Sequence, residues 1–284
     1  MDVIRAEVLG MCFGVRDALA AIGDMADPSR VTIHGQLVHN EVVVSRLRVR
    51  GFGMTEEDAR DEVAPTPAVL VTAHGISDRE RTRLADAGKE LIDTTCPLVR
   101  RVHLAAQKLQ RDGYHVLVIG RQGHVEVRGI VEDLDSFDVV PDVASVHRYP
   151  HARLGVICQS TTAPRVAAEV RARIERENAH TEVKFVDTTC QPTRDHQRAL
   201  MELLPNVDAV VVVGGSNSNN TRELAALARS RGVPAYHVGG AADLRSEWFT
   251  GCRRVGLTAG TSTLDETVQE VEDALIRLGG PAPL

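Results

Sequence analysis

The sequence is poor in aromatic residues and contains no long apolar run. Phenylalanine, tyrosine and tryptophan make up 3% of its 284 residues, with a single tryptophan. Such scarcity disfavours a stacking surface for single-stranded nucleic acid. The longest apolar runs, such as residues 209–213, are far shorter than a bilayer span requires. No secretory signal is recognisable at the start of the chain. We therefore expect a cytoplasmic protein with no membrane partner.

The sequence also lacks an excess of basic residues and any paired metal-ligand motif. Charged residues make up 25%, the net charge is −6, and the two signs are interspersed. This pattern argues against a nucleic-acid partner, whose basic residues would cluster. The five cysteines are odd in number and the expected compartment is reducing, so we expect no disulfides. There is no Cys-x-x-Cys pair, Walker loop or dinucleotide fingerprint.

A short motif occurs twice in the sequence. Residues 92–97 read I-D-T-T-C-P and residues 186–192 read V-D-T-T-C-Q-P. Each copy follows a short apolar run and precedes a segment with helical spacing, and proline is tolerated in a first helical turn. Thr95 or Thr189 is predicted to cap the following helix. Each motif cysteine, Cys96 or Cys190, should therefore lie where a strand passes into a helix.

Cys12 is a third cysteine between an apolar-rich run and a helical segment. The positive end of a helix favours the thiolate form. Three separated thiolates could hold zinc with a fourth ligand, or an iron–sulfur cluster with one iron left free. The lack of local ligand pairs favours a central cluster. The alternative is that all are ordinary buried cysteines, which is our expectation for Cys158 and Cys252.

Strands alternate with helices along the whole chain, which predicts parallel sheets covered by helices. We infer three similar α/β lobes with mostly parallel sheets, at 13–95, 96–189 and 190–284, with strand 1–12 added to the third. Ligands of such sheets bind outside the carboxyl ends of the strands. The strand ends are therefore expected to converge on one site.

Polar side chains follow several of the predicted strands. Together they could donate hydrogen bonds to an anion, helped by helix N-termini, and a phosphate or diphosphate is the natural ligand. Singly, each could instead be a solvated or structural side chain, and the Gly/Ser/Asn run at 214–220 could be a simple turn. The candidates are His39, His74, His124, Ser218, Asn219, Asn220 and Ser262.

Glu126 is the only carboxylate in these clusters apart from Asp93 and Asp187. In a closed site beside a bound anion its pKa should rise, which would make it a proton donor. The alternative is an exposed glutamate that the helix dipole favours at a helix start.

Taken together, these segments resemble the LytB/IspH family of 4-hydroxy-3-methylbut-2-enyl diphosphate reductases. The resemblance implies a trefoil of three α/β lobes around a central [4Fe–4S] cluster, with three cysteine ligands and one open iron. It also implies reductive removal of the substrate hydroxyl, giving isopentenyl and dimethylallyl diphosphates in the last step of the methylerythritol phosphate pathway. The matching stretches are 10–15, 37–40, 73–77, 93–99, 123–129, 159–161, 187–193, 214–220 and 259–262.

The resemblance assigns roles to individual residues. The cluster ligands would be Cys12, Cys96 and Cys190. The diphosphate ligands would be His39, His74, Ser218, Asn220 and Ser262, with Asn219 at a position where the family usually has serine. Glu126 would deliver protons with His124 and a hydroxyl on the 159–161 turn, from Ser160 or Thr161. Three further departures from the family pattern are Val125 for proline, Ser160 for threonine and Leu264 for proline.

The family takes its electrons from reduced ferredoxin or flavodoxin. The lack of a flavin or nicotinamide fingerprint agrees with a protein donor. Two other functions remain open from the residues alone. One is a zinc-dependent hydrolase or a redox-neutral iron–sulfur dehydratase acting on a phosphorylated metabolite. The other is a multi-lobed binding protein or cluster-based sensor.

Overall fold

A computed structural model of the chain describes residues 1–23, 25–57, 59–60 and 62–279. The strands are β1 (Asp2–Arg5), β2 (Val31–His34), β3 (Gly53–Thr55), β4 (Ala68–Val71), β5 (Glu90–Asp93), β6 (His115–Ile119), β7 (Phe137–Val140), β8 (Arg153–Cys158), β9 (Glu182–Phe185), β10 (Ala209–Val213), β11 (Ala235–Val238) and β12 (Arg254–Ala259). The α-helices are α1 (Phe13–Gly23), α2 (Glu41–Val49), α3 (Asp78–Asp86), α4 (Pro97–Arg111), α5 (Val125–Val131), α6 (Pro164–Glu177), α7 (Gln191–Leu203), α8 (Asn219–Ser230) and α9 (Asp265–Gly279).

The strands form three four-stranded sheets in which every neighbouring pair is parallel. Their orders are β3-β2-β4-β5, β7-β6-β8-β9 and β11-β10-β12-β1. Each sheet thus has the same plan, with two central strands and an edge strand that leads to one of the repeated-motif cysteines or to Cys12. The three predicted α/β lobes with parallel sheets are confirmed.

The described chain divides into two compact units. The first comprises Met1–Phe13, His39–Glu41 and the described part of Gln191–Leu284, and it contains β1 and β10–β12. The second comprises Gly14–Val38 and Val42–Cys190, and it contains the other two sheets. The lobe boundaries predicted from the sequence stay a prediction.

The central strands of each sheet are buried on both faces, as parallel sheets covered by helices require. In the first unit Val210 packs with Leu200 and Leu224 of α7 and α8, while its neighbour Val211 packs with Val268 of α9. In the second unit, alternate residues of β6 likewise pack against α6 on one face and α4 and α5 on the other. Burial of each such side chain contributes on the order of 2 kcal/mol.

Cys158 is fully buried in one of these cores, as predicted. Cys252 is partly exposed and packs against the core beside α9. Both therefore behave as apolar packing residues.

The helices predicted after Cys96 and Cys190 are present as α4 and α7. The prediction that Thr95 or Thr189 caps them is wrong. Cys96 itself occupies the N-cap position of α4, and the Thr95 hydroxyl donates to Asp93 instead. The Thr189 hydroxyl is buried and accepts or donates no hydrogen bond within the described chain. Asp93 therefore competes with the helix for the Thr95 hydroxyl, whereas Asp187 binds only the N–H of Thr189.

Candidate functional site

The three candidate cluster cysteines occupy the same place in their three sheets. In each case the peptide N–H of the cysteine donates to a carbonyl oxygen two residues beyond the end of the neighbouring central strand, β12, β4 or β8. All three residues are partly exposed. The three bonds run from Cys12 to Thr261 (3.0 Å), from Cys96 to Ala73 (3.1 Å) and from Cys190 to Ser160 (2.8 Å).

The two Asp-Thr-Thr segments fold alike. Oδ1 of Asp93 accepts the N–H of Thr95 at 2.9 Å, and Oδ1 of Asp187 accepts the N–H of Thr189 at 3.1 Å. The first threonine of each segment donates its hydroxyl to the last carbonyl of the adjacent central strand. The repeated Asp-Thr-Thr motif therefore forms the same turn in both places, and the cysteine follows that turn directly.

Ion pairs hold the first of these turns. Arg81 and Arg100 contact Oδ2 of Asp93 at 3.0 and 2.5 Å. Partial burial works to raise the pKa of Asp93, but bonds from Thr95 and the two guanidinium groups outweigh it. The pKa of Asp93 lies below its ordinary value, so the carboxylate stays charged.

The Cys96 sulfur lies against the start of α1. A Cβ atom built on Gly14 would stand 2.6 Å from Cys96 Sγ, closer than real contacts allow. Only glycine fits there, two residues after Cys12 in the chain. This close contact, the partial exposure of the three cysteine residues and the helix N-termini fit a thiolate-bound metal cluster.

The described residues contain no group of three or more His, Cys, Asp or Glu placed to hold a single metal ion. The cysteines of an iron–sulfur cluster bind different iron atoms, so their sulfurs need not meet around one ion.

Glu126 is buried on α5 and bound to one serine. Its side chain is 1% exposed. Oε1 accepts the N–H of Ser160 at 2.6 Å, and Oε2 accepts the Ser160 hydroxyl at 2.9 Å. Burial raises the pKa of Glu126 to about 7 against the opposing effect of these bonds. The predicted rise is confirmed, and the alternative of an exposed glutamate is wrong.

His124 caps the helix that carries Glu126. Its Nδ1 accepts the N–H of Glu126 at 3.1 Å. Because an accepting nitrogen carries no proton, the neutral ring has its proton on Nε2. The ring makes an edge contact with His74, with centroids 5.7 Å apart. Val125 is the first residue of α5, a position where proline would also fit.

In the first unit, the segment 39–41 joins two loops. Asn40 Nδ2 donates to the Ser262 carbonyl at 2.8 Å, and Ser262 Oγ donates to the His39 carbonyl at 3.2 Å. A Cβ atom on Gly215 would stand 2.4 Å from the same His39 carbonyl. The structure thus brings together His39, Ser262 and the loop after β10.

That loop leads into α8 through Ser218, which accepts the N–H of Thr221 at its N-cap. Asn220 is 1% exposed, and neither atom of its amide has a hydrogen-bond partner in the described part of the chain. Such a buried amide costs free energy unless a ligand binds it. Asn219, the first residue of the helix, is partly exposed.

The candidate residues recur at fixed distances from equivalent strands. Three lie five residues beyond the ends of β2, β6 and β10, and three lie three residues beyond β4, β8 and β12. The first set is His39, His124 and Ser218, and the second is His74, Thr161 and Ser262. Thr161 is partly exposed and accepts a bond from Gln159 at 3.2 Å.

The same spacing reveals a residue that sequence reasoning missed. Glu41 and Glu126 both lie seven residues beyond the end of their strands, β2 and β6. A comparison of these spacings would have singled out Glu41.

The chain matches the family described as LytB protein over residues 3–276. The chain belongs to the LytB family. Among curated relatives of this LytB-family chain, the 4-hydroxy-3-methylbut-2-enyl diphosphate reductase of Anaeromyxobacter sp. (strain Fw109-5) is 38% identical, over 99% of both chains. The enzyme of the same name from Aquifex aeolicus (strain VF5) is 32% identical, over 97% of this chain and 96% of that one.

Solved structures agree. A diphosphate reductase from Plasmodium falciparum superposes with a TM-score of 0.88 at 25% identity, covering 99% of this chain and 89% of that one. A second structure, described as the terminal enzyme of the non-mevalonate pathway, matches with a TM-score of 0.66 at 32% identity, over 97% and 99%. The predicted family is confirmed.

None of the helices in the described ranges is long and apolar enough to cross a bilayer.

Proposed function

We propose that this chain is an iron–sulfur reductase that converts 4-hydroxy-3-methylbut-2-enyl diphosphate into isopentenyl and dimethylallyl diphosphates, the last step of the methylerythritol phosphate pathway. Two electrons and two protons enter, the carbon–oxygen bond of the hydroxyl group breaks, and water leaves. The observation that carries this proposal is the full-length relationship to enzymes that bear this name.

Cys12, Cys96 and Cys190 would hold a [4Fe–4S] cluster with one iron open. Their equivalent positions, the partial exposure of these residues and the close approach of Gly14 to Cys96 Sγ support this assignment. Such a cluster supplies electrons to the substrate and a Lewis-acidic iron for its hydroxyl group.

The diphosphate would bind to Ser218, Asn219, Asn220 and Ser262, with His39 and His74. The unpartnered amide of Asn220 and the N-terminus of α8 support an anion there. A protonated histidine beside the phosphates would add a charge-assisted hydrogen bond.

Glu126 would deliver the protons. A buried carboxyl with a pKa of about 7 holds a proton near neutral pH and can release it. Ser160, bonded to both carboxyl oxygens, orients the group, and the Thr161 hydroxyl extends the polar contacts of that turn. His124, whose Nδ1 accepts the N–H of Glu126, would present Nε2–H as a donor to the substrate.

The electron donor would be ferredoxin or flavodoxin, in a transient complex. An oxygen-labile cluster favours the cytoplasm as the site of the reaction. The LytB family membership supports both proposals.

One anaerobic experiment tests the function. Protein purified without oxygen is assayed for iron, visible absorption and consumption of the allylic diphosphate with a chemical reductant. We expect brown protein and formation of both products. Zinc in place of iron would indicate the zinc-dependent hydrolase, and turnover without reductant would indicate the redox-neutral dehydratase. Ligand binding without electron consumption would indicate the binding protein or sensor.

The cysteine assignment has its own test. Cys12→Ser, Cys96→Ser and Cys190→Ser should each lose most of the iron and the visible absorption, because a serine hydroxyl is a poor ligand for this cluster. Cys252→Ser is the matched control and should keep both. Iron retention in any of the first three variants would contradict the assignment of that cysteine.

A further inference from the structure

Glu41 connects the His39 segment to the loop that leads into α8. Its Oε1 accepts the Ser216 hydroxyl at 2.7 Å and the Ser216 N–H at 3.2 Å. The neighbouring residue, Gly215, lies so close to the His39 carbonyl that a Cβ atom there would stand 2.4 Å from it and 2.9 Å from Glu41 Oε2. The Gly215 carbonyl in turn accepts the N–H of Ser218 at 3.1 Å. An unbroken set of contacts therefore runs from Glu41 to the N-cap of α8.

Glu41 and Glu126 make the same pair of hydrogen bonds, but the two side chains differ in burial. Each glutamate lies seven residues beyond a central strand, and each accepts both the N–H and the hydroxyl of one serine. Glu126 is buried, whereas Glu41 is exposed. Partial burial works to raise the pKa of Glu41, but the Ser216 bonds and nearby His237 outweigh it, so its pKa lies below the ordinary value. Glu41 thus stays an anion and cannot serve as a second proton donor near neutral pH.

A permanent carboxylate beside a diphosphate site is unfavourable through its charge. The contacts of Glu41 indicate that it restrains the neighbouring loop. The bonds to Ser216 fix a loop that contains four glycine or serine residues before α8 and would otherwise lose substantial conformational entropy on binding a ligand. The loop carries Ser218 at its end, and Asn220 follows within the first turn of α8.

We propose that Glu41 is a positioning residue for the diphosphate subsite, holding the 214–218 loop at a fixed distance from His39 so that Ser218 and Asn220 are preorganised for phosphate oxygens. The inference rests on the proposed function for the identity of the anion. It does not require that the chain reduce the substrate.

The test uses anaerobically purified, cluster-containing protein with Glu41→Ala, Glu41→Gln, Ser216→Ala and the double variant Glu41→Ala/Ser216→Ala. Affinity is measured by titration calorimetry with inorganic diphosphate, and KM and kcat are measured with the allylic diphosphate and a chemical reductant. We expect Glu41→Ala to weaken diphosphate binding and raise KM by about ten-fold, with kcat within about two-fold of wild type.

Glu41→Gln should restore affinity to within about three-fold, because its amide oxygen can still accept from Ser216. The double variant should bind no more weakly than Glu41→Ala, since both changes break one contact. Glu270→Ala, an exposed carboxylate on α9 of the same unit, is the control and should change nothing. Thermal unfolding of each variant verifies that the fold is intact.

Two results would overturn the positioning role. One is equal or tighter binding by Glu41→Ala, which would show that the carboxylate does not assist ligand binding. The other is an equal loss in Glu41→Ala and Glu41→Gln, which would make charge rather than position decisive. The proposed function can fail independently. If wild-type protein never reduces the allylic substrate but Glu41→Ala still weakens diphosphate binding, the positioning role is supported and the proposed function is refuted.

Discussion

At the scale of single residues, burial decides what a carboxylate does. Glu41 and Glu126 make the same pair of bonds to a serine, yet their pKa values shift in opposite directions. The sequence alone indicated a raised pKa for Glu126, because a closed site was expected around it. The spacing of Glu41 from a strand end could have marked it as the counterpart of Glu126, but its exposure and its contact with Ser216 depend on chain segments far apart in sequence. Residue type is readable from sequence, but desolvation is not.

Glu126→Gln should suppress turnover by 10²-fold or more, on the order expected for loss of a general acid. Wild-type turnover should fall as pH rises through about 7, because the carboxyl group then loses its proton. Iron content and diphosphate affinity should stay unchanged. Ser160→Thr is the control and should retain turnover, since threonine keeps the hydroxyl that donates to Glu126. Unchanged turnover in Glu126→Gln would remove this residue from proton delivery.

The same carboxyl group makes stability depend on pH. The folded-state pKa is raised from 4.5 to about 7, so the folded protein binds this proton more tightly than the unfolded chain does. The contribution to stability, on the order of 3 kcal/mol, is present below pH 4.5 and is lost as pH rises through about 7. Glu126→Gln should lose less stability than wild type between pH 5 and pH 8, measured by urea unfolding. Parallel losses in the two proteins would contradict the raised pKa.

At the scale of elements, apolar runs placed the buried strands correctly. The run at 115–119 coincides with β6, because a central parallel strand is a nearly continuous apolar segment. The edge strand β11 also has the predicted bounds, 235–238, although it is only half buried. The run at 3–9 predicted a longer strand than β1. Beyond Arg5 the chain leaves the ladder, although the N–H groups of Ala6 and Gly10 still reach carbonyls of β12. Strand β3 has only three residues, including a glycine, and carries no such signal.

Gly14→Ala should weaken cluster retention, because the added methyl group would force Cys96 Sγ or α1 to move. The expected result is less iron per chain and faster bleaching of the visible absorption in air. Gly23→Ala, at the other end of α1, has nothing within 4 Å of the added Cβ and is the matched control. It should retain iron and gain up to about 1 kcal/mol of stability from helix propensity. Equal iron content in the two variants would mean that the contact does not constrain the sulfur.

At the scale of the whole molecule, the sequence predicted three sheets but not how short turns associate. Residues 39–41 follow a strand of the second unit, yet their contacts are with loops more than 170 residues later. Side-chain and carbonyl hydrogen bonds make this association, and no periodicity in a sequence reports them. Likewise, the sequence listed Ser218 and Asn220 as candidates without revealing that one is a helix cap and the other an unpartnered buried amide.

Diphosphate should stabilise the whole chain through the Asn220 amide. At a concentration 100 times its dissociation constant, a ligand contributes about 2.7 kcal/mol. Asn220→Ala should unfold at or above the wild-type temperature without ligand, because the buried amide makes no hydrogen bond there and costs free energy. It should gain much less stability than wild type when inorganic diphosphate is added. An equal gain, measured by anaerobic thermal unfolding, would exclude Asn220 from the subsite.

The equivalent position seven residues beyond three corresponding strands is filled by Glu41, Glu126 and Asn220. The pKa of Glu41 lies below its ordinary value, burial raises the pKa of Glu126 to about 7, and the buried amide of Asn220 has no hydrogen-bond partner in the described part of the chain. The three sheets share one strand order around these positions. Exchanging the three side chains should therefore preserve the sheets while changing which position holds a proton and which can bind an anion.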